Sequence, residues 1–165
     1  MALQGSVETT SNIEAVLLAL DTAISPPGIV EFLTTRVDPY MRSRAAARFQ
    51  NEGDDAVGKW SPLRPSTVAI RQDLGFPGGH PINKREGELE AYIVGTPGLV
   101  TSTERGGFWQ MPGRPPGNAE LAKKFRTAQQ GASDPHTTPR PVIGQNEADM
   151  RQVLTLLMFH IGEAV

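Results

Sequence analysis

Ile29, Leu33, Val37, Met41, Ala45 and Phe49 recur at every fourth position. On a helix this spacing lays one apolar stripe along one side. Arg36, Arg42, Arg44 and Arg48 fall mostly off that stripe, as a solvated or partner-facing side requires. Pro39 interrupts the run. It either kinks one long helix, or it opens a second helix that Asp38 caps. The stripe keeps its phase across Pro39, which favours two nearly collinear segments, and Gly53 suits the position just past their end. Upstream, Asn12 to Leu20 is short and apolar with Asn12 as a candidate cap, although an extended reading stays open at this length. Ser25-Pro26-Pro27-Gly28 then breaks the chain.

The C-terminal end is patterned as clearly. Met150, Val153, Leu154, Leu157, Met158 and Ile161 form an amphipathic face. Asn146 caps it, and Asp149 stands where the return partner of a capping box belongs. Leu156 and Phe159 lie off that face, either as extra core or as a seat for a neighbouring subunit. Asn118 to Gln130 predicts another helix, capped by Asn118, stopped by Gly131, with Leu121, Ala122, Phe125 and Ala128 as a narrow stripe. Between these helices the periodicity fades. Gly53 to Gly87 is dense in glycine and proline and predicts a long loop holding one short helix, from Pro65 to about Leu74. A loop of that length carries a function or is fixed by partners. From Leu89 to Met111 the pattern turns β-like. Tyr92-Ile93-Val94 and Leu99-Val100-Thr101 predict a hairpin around Gly95-Thr96-Pro97-Gly98, with Gly107 to Met111 as a third strand.

Composition narrows the picture. The chain has 165 residues, 38% hydrophobic and 21% charged, which suits one domain with a modest core. The polar stretch Met1 to Asn12 reads as a flexible N-terminal arm, leaving residues 13–165 as a single domain. The absence of cysteine excludes disulfides and cysteine-ligated zinc. No apolar run of about 18 residues predicts a membrane span. A net charge of −2 gives no bulk attraction to nucleic acid or membrane. Local charge is uneven, with one basic cluster at Arg36 to Arg48 and another at Lys123, Lys124 and Arg126.

Candidate chemistry is sparse. His80, His136 and His160 are far apart and lack metal-ligand spacing. There is no nucleophile elbow, Walker loop or dinucleotide fingerprint. Glu52, Asp54 and Asp55 could form a hydrolytic or cation-binding carboxylate site, but a solvated turn past a helix end weighs more. Glu86, Glu88 and Glu90 would share one strand face, as an exposed edge or a charged subunit contact, with Lys84 and Arg85 beside them. Arg42, Arg44 and Arg48 could meet DNA phosphates in a channel or at a lumen. A solvated face or intersubunit ion pairs weigh more, because no aromatic residues interleave with them. Trp60, in Gly58-Lys59-Trp60-Ser61-Pro62-Leu63, pins a polar loop to the core or anchors an interface, with the core role favoured.

Several segments then become suggestive together. Arg48-Phe49-Gln50-Asn51-Glu52-Gly53, followed by Trp60-Ser61-Pro62-Leu63, then Pro65-Ser66-Thr67 and Arg71, resembles the hallmark block of tailed-bacteriophage virion-morphogenesis and tail-completion proteins. Arg85-Glu86-Gly87-Glu88-Leu89 is similar to that family's glycine-x-leucine step. Phe125 with Ala128-Gln129-Gln130-Gly131 resembles its aromatic–alanine–glutamine–glycine segment, and Pro139-Arg140-Pro141-Val142-Ile143-Gly144 its proline-arginine-proline step. The likeness runs in order from about Ile29 to the C-terminus. Arg64 departs from it, standing where the family often has a capping serine, and the segment from Glu104 to Asn118 is longer than usual.

The resemblance implies an α+β fold, with N-terminal helices and a C-terminal helix packed on a small, mostly antiparallel sheet among long Gly/Pro-rich loops. It implies no enzyme activity and no cofactor or metal. The implied role is structural: a homo-oligomeric ring, often hexameric, at the head–tail junction of a virion assembled in the bacterial cytoplasm. Such a ring would terminate the tail or sit in the neck, against head-closure proteins and the tail tube protein, with passing contact to phage DNA. Phe108, Trp109, Arg114, Lys123, Lys124 and Arg126, within the extended segment Glu104 to Arg126, are the expected subunit or partner contacts. Phe49, Glu52, Gly53, Trp60, Pro62 and Leu63 are the expected structural motif. The alternative function is a DNA-binding accessory of packaging that uses the basic helix Arg36 to Arg48.

Overall fold

The computed structural model describes residues 17–18, 21–22, 24–83, 86–103, 106–112, 117–131 and 138–163. The expected N-terminal arm, Arg114 and His136 lie outside the described residues, as does most of the first expected helix.

The four-residue stripe builds the spine of the fold. Helix α1 (Pro26–Phe32) runs into a π-helical segment (Leu33–Val37) and on into α2 (Asp38–Asn51). Leu33, Val37, Met41, Ala45 and Phe49 are all buried, as the spacing predicts. Asp38 does not cap a second helix. Its backbone is right-handed helical, and its N–H reaches back five residues to the Leu33 carbonyl. The widened turn makes room for the Pro39 ring, which would otherwise press on the carbonyl four residues before it. It also takes up part of the drift that a spacing of four accumulates on a helix of 3.6 residues per turn. The helix end differs from expectation by one residue. Glu52 takes the left-handed conformation, at φ 57°. Gly53 follows at φ 109°, where a Cβ would lie 2.1 Å from the Gly58 carbonyl oxygen.

The long loop holds more structure than its composition suggests. Strands β1 (Gly53–Asp54) and β2 (Gly58–Lys59) form a small antiparallel hairpin. Its turn is closed by Asp54 Oδ1, which accepts from the Ala56 and Val57 N–H groups at 2.9 and 3.1 Å. Helix α3 (Pro65–Asp73) follows, opening on proline as expected, with no side-chain cap from Arg64.

The first expected strand is a helix instead. Residues Glu88–Gly95 form α4, so no hairpin turns at Gly95 to Gly98. Leu89 and Ile93, four apart, are 6% and 0% exposed, and burying that pair outweighs the β preference of Tyr92-Ile93-Val94. Glu88 and Glu90 sit in its first turn, where the helix dipole favours negative charge, and do not line a strand face. The hairpin lies one step later, between β3 (Leu99–Thr103) and β4 (Gly106–Gln110). Val100 stands opposite Trp109, and Thr101 opposite Phe108.

Helix α5 (Ala119–Gln130) is capped as predicted, with the Asn118 side chain accepting from the Leu121 N–H at 2.9 Å. Asn118→Ala is expected to cost about 1 kcal/mol in a urea-unfolding measurement. A change within experimental error would show that the cap carries no weight. Helix α6 (Glu147–Glu163) begins with the expected reciprocal pair. The Asp149 N–H donates to Asn146 Oδ1, and the Asn146 N–H donates back to Asp149 Oδ2. Its inner face is rotated from the expected one. Val153, Leu156 and Leu157 pack inward, whereas Met150, Leu154 and Met158 are exposed.

The fold is thus α+β, with helices around two separate antiparallel two-stranded sheets. Its core has two parts. One gathers Ala45, Phe49, Trp60, Ile82, Leu89, Ile93, Met111, Leu121, Ala128 and Val142. The other joins Phe32, Leu33, Val37 and Met41 to Val100, Val153, Leu156 and Leu157, and Trp109 touches both. No helix among the described residues is long and apolar enough to cross a membrane.

Candidate functional site

The densest polar arrangement surrounds an irregular strap, residues 138–146, that runs from after α5 into α6. A strap without ladder partners leaves its backbone groups to be satisfied by side chains. Four segments supply them. Arg48 donates to the carbonyls of Val142 and Gly144 at 3.3 and 2.7 Å. Trp60 Nε1 donates to the Pro141 carbonyl at 2.9 Å. Gln129 Oε1 accepts from the Val142 and Ile143 N–H groups at 2.6 and 3.1 Å. Asn83 donates to the Arg140 carbonyl, and Arg140 in turn donates to the carbonyls of Ser61 and Pro62. Desolvation lowers the Arg140 pKa from its ordinary value.

Arg48 is the centre of this arrangement and is fully buried. Its Nε donates to Asp54 at 2.7 Å, and the terminal nitrogen that holds Gly144 stands 3.9 Å from Asp149. Arg44 lies beside it, within 3.0 Å of Asp54, 2.9 Å of Asp55 and 2.8 Å of Asp149. Tyr40 donates to Asp149 Oδ1 at 2.7 Å. Burial, then the bond and charge of Asp149, push the Tyr40 phenol up to about 12 against the pull of Arg44 and Arg48. Nearer the start of the same helix, Asp38 forms a second hub. It accepts from Arg42, from the Gly98 N–H and from Trp109 Nε1.

The arginines of the basic helix are therefore spent internally. Arg48 is enclosed, Arg44 is held by three carboxylates, and Arg42 pairs with Asp38 and donates to the Val94 carbonyl. The geometry places none of the three on an open, phosphate-facing side. Arg36 pairs with Glu163.

The carboxylates singled out in sequence are likewise engaged. Asp54 closes its turn and holds Arg48, and Asp55 takes Arg44 and Asn146. Glu52 accepts from the Ile82 N–H at 2.9 Å and meets His80 Nδ1 at 2.6 Å. Burial would raise the Glu52 pKa, but the His80 bond, the Ile82 N–H and the charges of His80 and Lys59 lower it overall. Asp55 is also lowered, first by Arg44 and then by Asn146. Among the described residues no cluster of His, Asp or Glu is placed to hold a metal ion.

Both shifts favour the charged carboxylate in the folded state. Their contribution is present above the unfolded values, about 4, and is lost as pH falls through the lower folded values. The urea midpoint is expected to be level above about pH 5 and to drop below about pH 4. Glu52→Gln should make the drop shallower. An identical drop in that variant would remove Glu52 from the account.

The expected contact residues separate. Phe108 is exposed on the hairpin, whereas Trp109 turns inward to Asp38. Lys123 and Arg126 are exposed on α5. Lys124 is paired with Glu86 and Glu88 at 3.1 and 2.6 Å, and the Glu88 bond chiefly raises its pKa. It lines a cleft of about 330 Å³ with Leu63, Ile70, Arg71 and Leu89, where Arg71 holds the Pro81 carbonyl through both terminal nitrogens. The expected structural motif comes together. Phe49 and Trp60 meet edge to face, with centroids 5.7 Å apart, and Leu63 packs against the same core. The sequence pattern marks Asp149 only as a cap partner and does not single out Gln129 or Arg140, although all three stand in segments it brings forward.

Comparison with protein-family models, with curated proteins and with solved structures gives no match.

Proposed function

We propose that this chain is a structural protein of a tailed-phage head–tail junction. It assembles with copies of itself into a ring, a hexamer in the simplest case, that completes or terminates the tail and joins it to the head. One observation carries the reading. The segments whose order resembles the tail-completion family converge on one strap, through Arg48, Trp60, Gln129 and Arg140. Side chains committed to holding a backbone path suit a protein that acts by shape. A ring follows when one patch meets a different patch of the next copy and the rotation closes.

The test is made on particles. Virions assembled without this chain should give separate filled heads and tails, and adding the purified protein should join them. Normal joining and infectivity without it would overturn the proposal.

A further inference from the structure

The cleft of about 330 Å³ that Lys124 lines opens between α3, the start of α4 and α5. Its size lies at the small end of ligand sites, about 300–1,000 Å³. Leu63, Ile70 and Leu89 make its apolar wall. Leu89 and Arg71, 6% and 5% exposed, form its deep side, whereas Ile70, Glu88 and Glu120 stand exposed at its mouth. The two ends differ in charge. At the mouth the Glu86 and Glu88 carboxylates bracket the Lys124 ammonium at 3.1 and 2.6 Å, and Glu120 lies one turn before Lys124 on α5. Three carboxylates there stand against one ammonium.

The deep side is cationic and short of acceptors. A guanidinium has five N–H donors in a planar fork. Arg71 turns both terminal nitrogens to a single acceptor, the Pro81 carbonyl, each at 3.1 Å. Its Nε is shielded from solvent and has no hydrogen-bond partner among the described residues. No carboxylate among the described residues pairs with it, although a buried charge is ordinarily paired. Such a group calls for a negatively charged acceptor, and a carboxylate matches one edge of the fork with two parallel bonds. A carbonyl held twice can keep one nitrogen and release the other, which with Nε makes up that edge.

We propose that this cleft binds a free α-amino acid with a branched apolar side chain. The ligand carboxylate meets the Nε edge of Arg71, its ammonium meets the carboxylate mouth at Glu120, and its side chain lies on Leu63, Ile70 and Leu89. A simple anion or a simple cation suits only one end of the cleft. The site is independent of the assembly role. The experiment titrates L-leucine into the full chain and follows backbone amides by NMR. Shifts are expected at Leu63, Thr67, Leu89 and Lys124. Isocaproate lacks the ammonium, leucinamide lacks the carboxylate, and glycine lacks the side chain. Each should bind at least about tenfold more weakly than leucine. Arg71→Lys keeps a cation for the Pro81 carbonyl but offers no fork, and it should weaken leucine binding by about tenfold. Glu120→Gln changes an exposed position, so the fold should survive it. It should weaken leucine and leave isocaproate no weaker. Cleft amides that do not move with millimolar leucine, four probes that bind alike, or unchanged leucine affinity in Glu120→Gln would overturn the proposal.

Discussion

Arg48→Met is expected to lower the unfolding free energy by about 3–5 kcal/mol, the usual cost of removing one partner from a buried ion pair. The substitution fills much of the volume, so the loss comes from what it strands. Asp54 and Asp149, at 11% and 2% side-chain exposure, lose Arg48 and keep only the Arg44 contacts described above, and two strap carbonyls lose their donor. Domains of this size have about 5–15 kcal/mol in total, so the variant should sit near the edge of folding. Arg48→Lys should recover little, because an ammonium on a flexible stem cannot match a planar fork aimed at Asp54 on one side and Gly144 on the other. Arg36→Ala is the contrast on the same helix. Its pair with Glu163 is exposed, and its loss should cost about 0–1 kcal/mol. Urea unfolding of the three variants checks the order, and a small effect at Arg48 would sink this account of the strap.

Trp60→Ala is expected to cost about 3–5 kcal/mol through the cavity it leaves. Trp60 is 4% exposed and stands edge to face with Phe49. Trp60→Phe separates the two contributions. It keeps most of the packing and removes only the donor to the Pro141 carbonyl, a loss of about 1–3 kcal/mol for a buried acceptor left unmet. Equal losses in both variants would place the whole effect in the hydrogen bond. No loss in either would sink the core role assigned to this tryptophan.

The parts of this fold that were legible in sequence are those fixed by local periodicity or local caps. The stripe from Leu33 to Phe49, the Asn118 cap and the Asn146–Asp149 pair each involve residues three or four apart, so the sequence carries their geometry directly. What failed depends on distant partners. Tyr92-Ile93-Val94 reads as a strand until the chain is folded and Ile93 is buried among Phe49, Trp60 and Leu121. The basic helix reads as an open cationic face because the carboxylates that meet Arg48 and Arg44 come from the β1–β2 turn and from Asp149 near the start of α6. Charge clusters are visible in sequence, but their compensation is a tertiary fact. The same holds for α6, where binary patterning found the apolar sector but not which part of it faces inward.

The strap has a consequence in time. The Arg48 contacts to Val142 and Gly144 span 94 and 96 positions of chain. During translation the N-terminal two thirds emerge, at about 5–20 residues per second, before these partners exist. Until the strap arrives, Asp54 is at hand for Arg48 but the two carbonyls are not. The full set of Arg48 acceptors can therefore assemble only once synthesis has passed Gly144.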